Sequence, residues 1–180
     1  MKKLFYFLKR VYHLTLSEEK HEEIVWKRLK KLFAEKDWNH GVYEKEKYIE
    51  AVFEVEEKQL GKFYYYVHDR KFHCHVFALQ NYPIELTSEL FILAAHFNNL
   101  LNNGVVKVDV KNSSVEYQLK QDLIVPVLYS QEIHQLLINH HQISQDVFKA
   151  FQRLVIEQEA PAIIIADLLK EYDNNNEGEQ

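Results

Sequence analysis

Apolar residues recur along this chain at two spacings, and the alternation between them sets out the elements. Ile24, Val25, Leu29, Leu32 and Phe33 lie on one stripe of a 3.6-residue wheel. Ser17 ahead of Glu18 and Glu19 is an N-cap with acids placed against the positive helix end. The pattern predicts a helix over Glu18–Lys36, broken by Asp37-Trp38-Asn39-His40-Gly41. The spacing then drops to two. Ile49, Ala51, Phe53 and Val55 alternate with Glu50, Val52, Glu54 and Glu56, the pattern of a strand wetted on one face. Over Lys62–His68 both faces carry aromatics, Phe63, Tyr65 and Val67 against Tyr64, Tyr66 and His68. Phe72, Cys74, Val76 and Ala78 alternate with His73, His75, Phe77 and Leu79. Gly61 and His68-Asp69-Arg70-Lys71 are expected to supply hairpin turns, and Val42-Tyr43 is short enough to be only a minor extra strand.

Pro83 ends the strand run, and the helical period returns from Thr87 with Leu90, Leu93, Ala94, Phe97, Leu100 and Leu101; Gly104 suits the left-handed position past such a helix. Val106, Val108 and Val110, then Val115, Tyr117 and Leu119, form a hairpin about Asn112-Ser113-Ser114. Beyond Pro126 the period near 3.6 runs from Ile133 to Val155, with residues 132–157 compatible with one helix or with two pieces meeting at Ser144. Pro161 at a first helical position opens a last short helix, to about Leu169. The expected architecture is α+β: an antiparallel sheet of about five strands with helices packed on one face, in the order α-β-β-β-α-β-β-α-α. Residues 17–171 are expected to form one such domain, and residues 172–180 a disordered polar tail.

Composition narrows the function classes. With 180 residues the chain can bury a core without a disulfide or a structural metal. A single cysteine, Cys74, excludes an intrachain disulfide and a cysteine-rich zinc cage, which suits the cytoplasm. Lys2, Lys3, Lys9 and Arg10 stand in the first 17 residues without an acid, so the remainder is more acidic than the net charge of −5 indicates. An acidic body is a poor partner for nucleic acid. Within residues 1–16, Leu4, Phe5, Leu8, Val11, Tyr12 and Thr15 form one side of a basic amphipathic segment. Docking on the protein's own body or on a second copy is the favoured role for it, and contact of residues 2–16 with an anionic membrane surface is the minor alternative. The longest apolar run, Ala160–Ala166, is seven residues, far below a membrane span.

Some features resemble the YbjN-type family: Tyr82-Pro83, a helix ending in Asn98-Asn99 and Gly104, the hairpin Val106–Leu119, and Ser130-Gln131-Glu132 opening a helix. The likeness covers about residues 18–157. It implies a fold like that of type III secretion chaperones, with pairing into homodimers and binding of other proteins, and it carries over no catalytic residue.

The chemistry-bearing residues support no enzyme signature. A Gly-rich phosphate loop, a His-Glu-x-x-His run and a Gly-x-Ser-x-Gly elbow are all missing. No catalytic, cofactor-binding or metal-ligating residue is assigned, and no cofactor is expected. His73 and His75 project from one strand face, with His68 on the neighbouring strand, so a metal or small-molecule site (or an enzyme built on it) along the His-rich strand 68–75 is the alternative. Cys74 between Phe72 and Val76 reads as a small buried hydrophobe. Tyr64 and Tyr66 should lie on the face away from the helices, with His73 and His75 near them. Such a face suits protein binding. The expectation is a non-enzymatic, chaperone-like or regulatory protein-interaction module, homodimeric and cytoplasmic.

Overall fold

The computed structural model describes residues 15–123 and 128–177, together with positions 4, 7, 8 and 11–13. Helix α1 covers Glu18–Lys36 and stops where Asp37 takes a left-handed conformation, φ 53°. Four strands follow: β1 His40–Tyr43, β2 Tyr48–Glu56, β3 Gln59–His68 and β4 Lys71–Gln80. A short 3-10 turn, Ile84–Leu86, leads into α2, Thr87–Leu100. The hairpin β5 (Val105–Asp109) and β6 (Ser114–Asp122) precedes α3 (Ser130–Val155) and α4 (Pro161–Glu177).

The six strands form one antiparallel sheet in the order β1-β2-β3-β4-β6-β5, one strand more than the sequence predicts because β1 pairs with β2 over its whole length. The β3–β4 connection is a two-residue turn with both Asp69 (φ 49°) and Arg70 (φ 60°) left-handed, the geometry that matches the twist of the strands it joins. Glu22 of α1 holds that turn by accepting from the Arg70 backbone N–H at 2.8 Å. Gly61, expected at a turn, lies inside β3; the chain reverses three residues earlier, where Lys58 has φ 66°.

Helices α1, α2 and α3 contact the sheet on one face, and α4 lies against α2 and α3. Tyr65, Tyr117, Phe33, Phe63, Phe72, Phe97 and Phe151 are fully enclosed between these layers. Each such side chain contributes about 1.5–3 kcal/mol by leaving water. One hydrophobic cluster runs from Val25 on α1 to Leu168 on α4.

Several details correct the sequence expectation. Helix α3 is unbroken, and Ser144 bonds back to the His140 carbonyl at 2.5 Å instead of capping a second piece. Gly104 is left-handed (φ 88°), but four residues past the end of α2; its place is set by Tyr117, whose ring leaves no room for a Cβ. Helix α4 extends to Glu177, through the Asn174-Asn175-Asn176 run assigned to the tail, while 178–180 lie outside the described residues. Phe5 and the basic residues Lys2, Lys3, Lys9 and Arg10 also lie outside them. The described members of its apolar side, Leu4, Leu8, Val11 and Tyr12, are exposed, so self-docking through that stripe is not what these positions do. His13, polar in the pattern, is the enclosed one, edge-on to Tyr129 at 6.1 Å. Its carbonyl accepts from His21 on α1.

Candidate functional site

Because side chains alternate across each strand, the sheet has a second face that no described helix covers. Register builds that face as rows. One runs Tyr43, Tyr48, Tyr66, His73, Lys120 across β1, β2, β3, β4 and β6. The next runs Gly41, Glu50, Tyr64, His75, Gln118, Val105 and reaches β5. All four residues expected on the outer face, Tyr64, Tyr66, His73 and His75, therefore sit at adjacent positions on β3 and β4.

Their rings are organised against each other. Tyr66 stacks on His73 at 4.7 Å and 16° between planes, and Tyr43 stacks on Tyr48 at 4.2 Å and 8°. Phe77 meets His75 at 4.7 Å and Tyr64 edge-on at 6.3 Å. Between the rows lies a shallow hollow of about 370 Å³ walled by Tyr48, Tyr64, Tyr66, His75 and Phe77, with Glu46 and His68 at its rim. Charges frame it: Lys62 pairs with Glu50 at 3.4 Å, and Glu116 lies 3.2 Å from Nε2 of His75.

Partial burial governs the ionisation of this face. It lowers the pKa of His73, with Lys120 across the strand adding to the effect. It also lowers that of His75, and there the Glu116 carboxylate works in the opposite direction. Burial raises both Tyr64 and Tyr66, helped by Glu50 and by Glu116 respectively, so their phenols stay neutral. Near neutral pH the phenols and imidazoles of this face are neutral, with Glu50, Glu116 and Lys120 interspersed among them.

The arrangement supplies little for catalysis. His73 and His75 share a face, but one ring is stacked on Tyr66 and the other is wedged between Tyr64, Phe77 and Glu116. Among the described residues, no group of three or more His, Cys, Asp or Glu side chains converges to hold a metal. Cys74 points to the helix side, is 1% exposed, and burial pushes its thiol well above the ordinary value, which suppresses the thiolate. The neighbouring His140 and His141 diverge on α3: the first is fully enclosed, while the second bonds the Glu54 carbonyl at 2.9 Å. Among the described residues no helix is long and apolar enough to cross a membrane.

Sequence reasoning set Phe77 on the face of His73 and His75 but missed Tyr43, Tyr48 and Glu116 as members of it. Tyr43 and Tyr48 flank the β1–β2 turn and gain meaning only when paired. Glu116 reaches His75 because β6 inserts beside β4, a pairing of strands far apart in sequence.

No protein-family model and no curated protein sequence matches the chain. Among solved structures it is similar to the crystal structure of YbjN from E. coli, which is named as a proposed transcription regulator. The superposition has a TM-score of 0.54 and 9% sequence identity, and covers 72% of this chain and 93% of that one. The chain thus has a YbjN-like fold.

Proposed function

We propose that this chain is a non-enzymatic, regulatory or chaperone-like protein-interaction module of the cytoplasm, and that its binding surface is the open sheet face centred on Tyr64, Tyr66, His73 and His75. The observation that carries the reading is the pair of aromatic cross-strand rows left outside by helices that all pack on the opposite side. Tyr-rich patches with a desolvated centre and a charged rim are what protein interfaces are made from. Neutral phenols and imidazoles add hydrogen bonds without the cost of burying charge. A second copy of this chain is the first partner to test, because the rows of one copy would give the other stacking and hydrogen-bonding surface of the same kind. The likeness to YbjN supports a regulatory role, exerted through protein contacts given the acidic body of the chain.

Native mass spectrometry with sedimentation velocity tests the proposal. A protein-only dimer that becomes monomeric when Tyr64 and Tyr66 are both changed to Ala, with melting at concentrations below the dimer's dissociation range unchanged, is the expected result. A monomer carrying one stoichiometric metal, lost on changing His73 and His75, would replace the reading with the His-rich metal site.

A further inference from the structure

Leu4, Phe7, Leu8, Val11, Tyr12 and His13, ahead of α1, are all helical. The first four recur at i, i+3, i+4 and i+7, so they share one stripe, with Tyr12 at its border. These five side chains are between 42% and 63% exposed. Single apolar residues in water are ordinary, but a row of them along one helix marks a contact surface for something outside the body. His13 falls opposite the stripe, and there the body holds the helix. Its ring is enclosed beside Tyr129, and its carbonyl accepts from His21 of α1.

Charge decides what that contact is. The sequence carries Lys2, Lys3, Lys9 and Arg10 before its first acid, Glu18. At helical spacing Lys2 and Lys9 fall to one side of the stripe, and Lys3 and Arg10 to the other. A stripe flanked on both sides by cations fits a flat anionic surface that is apolar underneath. The open sheet face of a second copy fits it less well, because Glu50 and Glu116 are mixed there with Lys62 and Lys120 and give no complement of one sign. We infer that residues 2–13 lie in the plane of an anionic lipid surface, with Leu4, Phe7, Leu8 and Val11 among the acyl chains and the four cations toward the headgroups. Tyr12, at the border of the stripe, sits at headgroup level, where its ring is buried and its phenol stays wet. The rest of the chain is acidic and is repelled by the same surface, so the attachment is peripheral and reversible. The inference uses no residue of the open sheet face, so Tyr64→Ala with Tyr66→Ala should leave it intact, and either reading can fail alone.

Cosedimentation of the full-length protein with vesicles of phosphatidylcholine containing phosphatidylglycerol tests the inference. Binding should be lost on phosphatidylcholine alone and weakened by added salt. Each basic residue near such a surface strengthens binding about fivefold, so Lys9→Gln with Arg10→Gln should weaken it by about 25-fold. Leu8→Glu, which alters an exposed position and should leave the melting temperature unchanged, should abolish it. Phe7→Trp supplies a depth reporter: lipids brominated on their acyl chains should quench its added fluorescence and leave wild-type emission, from Trp26 and Trp38 of the body, unquenched. Wild-type protein that stays in the supernatant with anionic vesicles, or Leu8→Glu that still sediments with them, would overturn the assignment. So would Phe7→Trp emission that shifts to the blue with protein concentration in the absence of lipid, since the stripe would then be docking on a second copy.

Discussion

His140 shows how a residue that looks like chemistry becomes structure. It sits on the inner side of α3, stacked on Tyr117 at 4.9 Å and 15°, with the rings of Phe63 and Tyr65 edge-on to it. Burial holds its pKa down to about 3, far below the ordinary imidazole. The folded protein therefore keeps this ring neutral where the unfolded chain would protonate it. Since the unfolded state binds the extra proton, stability falls as pH drops from about 6.5 toward 3, by at most about 1.4 kcal/mol per pH unit for one group. Urea unfolding at pH 7 and pH 5 should show that loss, and His140→Phe, which keeps a ring on Tyr117, should remove its largest part. Gly104 makes a second case at this scale. A Cβ there would come 2.7 Å from the Tyr117 ring and 2.8 Å from the Gln118 carbonyl, at a φ that L residues avoid. Gly104→Ala should cost more than about 1 kcal/mol in urea unfolding, the reverse of the gain such a change gives at compatible sites.

Between elements, short polar bridges fix what hydrophobic packing leaves adjustable. Asn98 near the end of α2 clamps β5: its side-chain oxygen accepts from the Val106 N–H at 2.7 Å and its amide donates to the Val106 carbonyl at 3.0 Å. Glu132 closes the first turn of α3 by accepting from the Tyr129 N–H at 2.7 Å. Arg153 near the end of α3 donates to Glu159 at 2.6 and 2.9 Å and to Asp167 at 2.8 Å, tying α4 to its neighbour. Helix α4 packs mainly on α2 and α3, so this bridge and the buried Ile164 and Leu168 set its docking. Arg153→Ala should speed amide exchange across α4 while leaving β3 and β4 protected, as measured by hydrogen–deuterium exchange. Equal deprotection of the sheet would mean that α4 belongs to the cooperative core.

For the molecule as a whole, the one-sided packing of helices decides where assembly can occur. Both sheet edges are poor templates: β1 has four residues, and β5 has five, with Lys107 and Asp109 along it. The open face is the larger continuous surface, which is why assembly is proposed there. If a second copy covers it, the melting temperature should rise with protein concentration, by mass action, and Tyr64→Ala with Tyr66→Ala should abolish that dependence. Differential scanning calorimetry over a hundredfold range of concentration reads it directly.

The residue alternation alone determined the class of fold, the limits of α1, and the division of β2, β3 and β4 into an inner and an outer face. Those features depend on local periodicity, and a stripe or an alternating face can be buried in only one way. It also placed Tyr64, Tyr66, His73 and His75 together, because β3 and β4 are joined by a tight turn that fixes their register. Sequence could not bring Glu116 to His75 or open a cavity between β2 and α3. Nor could it bury His13 while leaving Leu4, Leu8, Val11 and Tyr12 exposed. Each of these depends on which distant segments meet, β6 beside β4 or α3 across β2, and no spacing along the chain encodes such a meeting.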